Sequence, residues 1–218
     1  MAKLFKNVWF KCITTLLVIL LFSGCSISIL SDLLYVTPQE RTDRGIIKVY
    51  GKLVDYDTVF DVDNEEFDDK TLTDQEKTKI IYDFGRINKI YSIGDTAANS
   101  YELLFQSVGY KGFKNGTVTV WVKVSVLSGV YSITQVKLES NKNQSLINNL
   151  GGGYYSNFEL TDVTEAWKNG ELFTADKSSA DADYYNPVSG ATYSANAGNN
   201  AVNCVIAYLG QGGAINEN

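Results

Sequence analysis

The chain has 218 residues, 44% of them hydrophobic and 20% charged, which suffices for one sizeable core with accessory segments. Its formal net charge is -6, and Lys3, Lys6 and Lys11 all precede the first long apolar run, so the remainder is more acidic still and a nucleic-acid partner is disfavoured. Histidine is absent, which removes the Ser/His and Cys/His nucleophile pairs and the commonest transition-metal ligand.

From Cys12 to Leu30 about 19 residues carry no charge, close to what a helix needs to cross a bilayer core. The three lysines before this run and Asp32 after it predict a cytoplasmic N-terminus, with the rest of the chain outside the cell membrane. Residues 1–35 are therefore read as a membrane anchor, in the first instance an uncleaved single-pass transmembrane helix. The alternative anchor is lipid: Phe22-Ser23-Gly24-Cys25 resembles a lipobox with Cys25 as the lipidated residue. Either anchor leaves the folded part on the same side.

Residues 36–84 read as a polar, acidic, partly structured connecting region, with at most a short helix near Thr73 to Ile81. Within it, Asp61-Val62-Asp63-Asn64-Glu65-Glu66 alternates oxygen ligands. A calcium loop of the EF-hand type needs glycine where Glu66 stands, so a solvated charged loop is expected. Strands are predicted over Ile87 to Ile93, Tyr101 to Gln106, Val118 to Leu127 and Val130 to Leu138, rich in β-branched and aromatic residues, with turns at Asn115-Gly116 and Ser128-Gly129. Every even position from Val118 to Val126 is valine, which predicts a strand packed on a core from one side.

Leu146, Ile147 and Leu150 suit a short helix before Gly151-Gly152-Gly153, and Thr161 to Lys168 suits another that Asn169-Gly170 stops. Val202, Val205, Ile206 and Leu209 recur at helical spacing ahead of Gly210, which predicts an amphipathic helix. Cys204 falls within it and reads as a small buried hydrophobe. The fold class expected is α+β, with an antiparallel sheet and flanking helices in one domain over residues 85–212 and a tail at 213–218.

Just ahead of the last helix stands Ser189-Gly190-Ala191-Thr192. Thr192 offers a hydroxyl that can become a phosphoester, Gly190 and Ala191 let a phosphate approach the backbone, and the helix start offers unpaired N–H groups. On local grounds the same four residues also suit a polar turn that caps the helix.

In its surroundings the motif resembles the FMN-binding domain of the G subunit of Rnf and the C subunit of Nqr, membrane complexes that couple electron transfer to ion pumping. The resemblance runs from about Ile87 to Leu209. It includes Ser100-Tyr101-Glu102-Leu103-Leu104-Phe105, Gly109-Tyr110-Lys111-Gly112, the long strand, Ser128-Gly129 and the return strand, in that order. The resemblance implies that FMN is joined through its phosphate to Thr192 by a separate flavin transferase, with Ser189, Gly190 and Ala191 completing the signature. It implies other membrane subunits as partners, and redox chemistry that belongs to the flavin and needs no catalytic side chain. Asn186 stands where the family usually has Asp, with Asp183 further back, and Glu139-Ser140-Asn141-Lys142-Asn143 replaces a Glu-Thr-Pro-Gly stretch. Tyr154, Tyr155, Tyr184, Tyr185 and Tyr193 are candidate ring neighbours by proximity in sequence. Two other readings stay open: a stand-alone FMN lipoprotein held by Cys25, and a surface-anchored binding module without flavin.

Overall fold

The computed structural model describes residues 36–63, 78–143, 154–155, 157–174 and 192–213. The expected span over residues 12–30, Cys25, and the helix expected near Leu146 to Leu150 lie outside the described residues. Among the described residues no helix is long and apolar enough to cross a membrane. The boundary between two compact units falls after Arg41, and the account from Thr42 onward concerns the second.

The fold is α+β. Helix α1 (Pro38–Tyr50) is followed by strands β1 (Asp57–Asp61), β2 (Ile81–Tyr82), β3 (Gly85–Ile93), β4 (Ser100–Gly109), β5 (Thr117–Leu127) and β6 (Val130–Lys142), then by helices α2 (Val163–Lys168) and α3 (Thr192–Gly210). The sheet is antiparallel throughout and runs β1-β3-β4-β5-β6, with β2 sharing the outer edge of β3 beside β1. Ser128 and Gly129, at φ 51 and 81, make the tight β5–β6 turn whose two positive dihedrals match the twist of the strands. Asp162 caps α2, its carboxylate accepting from Glu165 N at 3.0 Å, and Gly170 (φ 72) ends it as its sequence predicts.

Helix α1 is encoded by signals that the acidic composition of 36–84 obscures. Thr37 Oγ1 accepts from Glu40 N at 3.1 Å, Pro38 takes the first helical position, and Gly51 (φ 74) stops the helix. Its buried residues Thr42, Gly45, Ile46 and Val49 recur at helical spacing. Part of the expected connecting region is thus built into the domain, since β1 contributes Phe60 to the main core.

Both faces of the sheet are covered. The even face of β5, Val118 through Val124, packs with Phe60, Ile87 and Phe105 beneath α3. On the opposite face Trp121 packs with Tyr91 and Leu104 against Ile46 and Val49 of α1. This corrects the one-sided reading of Val118 to Val126. Trp121 sits on the mixed face and is 1% exposed, because Gly45 of α1 leaves room for its indole and Glu139 Oε2 accepts its N–H at 2.8 Å. Helix α3 differs from its sequence reading in a related way. Every residue from Ala201 to Leu209 is buried, so it is enclosed on all sides rather than amphipathic. The sheet covers one side, and Phe158, Val163, Ala166 and Phe173 join the same core.

Candidate functional site

Thr192 is the first residue of α3, so the helix begins within the motif rather than after it. Ser189, Gly190 and Ala191 lie outside the described residues, as do Asp183, Tyr184, Tyr185 and Asn186. What the structure adds is the way the helix that carries Thr192 is held.

Gly85 and Gly109 are cross-strand partners on β3 and β4. A Cβ on Gly109 would collide with the carbonyl oxygen of Ala197, and one on Gly85 with that of Asn200. The two glycines form a pad on which the backbone of α3 rests directly, a close approach that only the absence of a side chain permits. Ala195, Ala197 and Ala201, all buried, keep the opposing surface thin.

Polar ties then fix the helix in place. Ser107 Oγ shares its proton between Ala201 O at 2.8 Å and Arg86 O at 3.1 Å, and Asn200 Nδ2 donates to Tyr110 O at 3.0 Å. Asn203 pairs with the backbone of Phe173 in both senses, accepting from its N–H at 2.9 Å and donating to its carbonyl at 2.8 Å. Tyr154 OH donates to Ala195 O at 3.1 Å and to Asn199 Oδ1 at 3.3 Å. The helix start is therefore braced within one turn of Thr192. Burial pushes the Tyr154 hydroxyl well above the ordinary phenol range, with the neighbouring Tyr155 adding to the shift, so it acts as a donor throughout the neutral range.

The residues fit a phosphate at this position. The first turn of α3 carries no acidic side chain, and the positive dipole end of a 19-residue helix lies there. Of the tyrosines expected near a flavin, Tyr193 follows Thr192 and is 64% exposed, and Tyr154 lies in the core under α3. Tyr155, whose ring centroid is 5.0 Å from that of Tyr154, lines a cavity of about 440 Å³ against residues 134–138 of β6, with Lys48 and Glu159 in its walls. The Tyr155 hydroxyl is buried without a hydrogen-bond partner among the described residues, and burial pushes it up to about 12.

Of the acidic stretch, Asn64, Glu65 and Glu66 lie outside the described residues, while Asp61 and Asp63 have a structural role. Asp61 is 6% exposed, so it is not part of a solvated loop: Lys89 Nζ lies 3.0 Å from its Oδ1 and 2.9 Å from Asp63 Oδ2. Tyr91 OH donates to Asp61 Oδ2 at 2.6 Å and lies 2.9 Å from Thr42 Oγ1. No group of three or more His, Cys, Asp or Glu side chains that could hold a metal ion occurs among the described residues. Nothing in the sequence marks Lys89 as buried. Its inward turn depends on the irregularity in the β3–β4 register between Ile87 and Lys89.

No protein-family model matches this chain, and neither the curated proteins nor the solved structures contain a match to it.

Proposed function

We propose that this chain is a membrane-anchored, extracytoplasmic electron carrier that holds FMN through a phosphoester to Thr192, as a subunit of an Rnf-like or Nqr-like oxidoreductase complex. The observation that carries the reading is that the threonine of the Ser-Gly-Ala-Thr signature opens the longest described helix, a helix free of acidic residues in its first turn and seated on glycine from Ala197 to Ala201. When bound, FMN supplies one- and two-electron transfer. The residues of the chain hold it: the hydroxyl of Thr192 is the point of attachment, and the positive dipole end of α3 faces the phosphate charge. The brace from Tyr154 to Ala195 and the glycine pad keep the attachment point still. Partners on this reading are a flavin transferase for maturation and other membrane subunits for electron exchange.

The test is co-expression with a flavin transferase, followed by mass spectrometry of the peptide that contains Thr192. A flavin-sized increment on that peptide is expected, absent in Thr192→Ala. An unmodified wild-type peptide and colourless protein would leave the binding module without flavin, in which the motif caps the helix. Labelling with a lipid precursor in wild type and Cys25→Ala distinguishes the two anchors, since label that depends on Cys25 favours the lipoprotein.

A further inference from the structure

We infer that the ring system of the flavin on Thr192 is received in the groove along the open edge of β6, against the ring of Tyr155 and the outward backbone of Val136 and Leu138. The inference rests on the flavin reading above and adds where the ring lies.

Strand β6 is the last strand of the sheet. Among the described residues its outer edge is met only by the bridge between Ile133 and Leu160, where each backbone N–H donates to the other's carbonyl, at 2.8 and 3.1 Å. Ile133 thus turns its backbone away from β5, where it lies opposite Val124. Val136 and Leu138 lie opposite Val122 and Val120, at two-residue steps from Val124, so their N–H and C=O groups also point away from β5. That edge forms one wall of the cavity of about 440 Å³, a size proper to a small-molecule site, and Tyr155 forms another.

The isoalloxazine suits this lining on two counts. Its pyrimidine edge alternates acceptor, N–H donor and acceptor, the complement of the outward N–H and C=O groups of a strand edge, and its flat apolar face suits an aromatic ring. The groove is also joined mechanically to the attachment point. Tyr154, adjacent to Tyr155, donates to Ala195 in the first turn of α3.

The test exploits the difference between phenol and phenyl. A tyrosine in contact with an isoalloxazine quenches its fluorescence, because the excited ring takes an electron from the phenol and returns it; phenylalanine is too hard to oxidise to do so. Tyr155→Phe keeps the shape and removes a hydroxyl that has no partner among the described residues, so folding is preserved. With Thr192 loaded to the same extent by mass, Tyr155→Phe is expected to raise flavin emission several-fold over wild type, while Tyr193→Phe leaves it unchanged. Equal emission from Tyr155→Phe and wild type, both carrying the flavin increment, overturns the groove and leaves the attachment intact. Emission released by Tyr193→Phe instead puts the ring over the helix start and likewise overturns the groove. Absence of the increment in every protein removes the attachment and the groove together.

Discussion

The seat of α3 on β3 and β4 can be tested at one atom. In Gly109→Ala the new Cβ would lie 2.7 Å from Ala201 N and 2.9 Å from the carbonyl carbon of Ala197, and nearer still to its oxygen. All of these are backbone atoms of a helix, so no side chain can swing aside and α3 must lift. Overpacking of this kind costs about 1–3 kcal/mol. Lifting also stretches the bonds from Ser107 to Ala201 and from Asn200 to Tyr110, each worth about 1 kcal/mol. A loss of about 3–5 kcal/mol is therefore expected from urea denaturation followed by near-ultraviolet circular dichroism. Gly170→Ala is the control. Gly170 has φ 72 and open space around it, so its substitution meets only the backbone penalty of about 1–2 kcal/mol. The reasoning is refuted if Gly109→Ala unfolds at the wild-type midpoint, or if Gly170→Ala is the more damaged of the two. On the flavin reading Gly109→Ala also lowers the loaded fraction of Thr192, because the attachment point moves with the helix.

Other expectations follow from the buried polar groups. Lys89→Met leaves Asp61 buried without its cation, which should cost about 3–5 kcal/mol, and pairing it with Asp61→Leu should recover much of that; a single mutant as stable as wild type in urea argues against a structural ion pair. Asn203→Ala withdraws two hydrogen bonds from the backbone of Phe173 and should cost about 2–3 kcal/mol by the same assay, whereas a loss under half of that would mean the bonds are replaced. Cys204 is fully buried, and burial raises its thiol from 9.0 to about 12. The neutral thiol is thus favoured in the fold: its contribution is complete below pH 9 and is lost as the pH rises from 9 toward 12, by up to about 1.4 kcal/mol per pH unit. Stability measured from pH 8 to 10.5 should fall more steeply in wild type than in Cys204→Ala, and parallel curves would contradict the assignment.

Much of the scaffold is legible in the sequence. The four long strands follow from alternation and β-branched residues, and the Ser128-Gly129 turn from the positive dihedrals it needs. They extend past their predicted ends, β4 to Gly109 and β6 to Lys142, because ladder partners hold residues whose own pattern is weak. Helix α1 was legible too: Thr37-Pro38 with Glu40 is a helix start and Gly51 a stop, yet the surrounding acidic composition reads as a connecting segment. For the candidate site, the sequence singles out Thr192 and the helix behind it, but not the groove at β6. Val136, Leu138 and Tyr155 meet there through the order of strands, which local pattern does not encode.

By itself the sequence determined the class of the fold and the presence of the last helix, and it singled out Thr192 as the candidate point of attachment, because these depend on local periodicity, turn chemistry and a four-residue signature. Only the tertiary structure decided that Trp121 is buried on the second face of the sheet, that Lys89 turns inward onto Asp61 and Asp63, and that Gly85 and Gly109 meet beneath α3. Each of these requires residues far apart in the chain to be brought within a few ångströms, and a glycine or a lysine reads the same in sequence whether it faces water or the backbone of a helix.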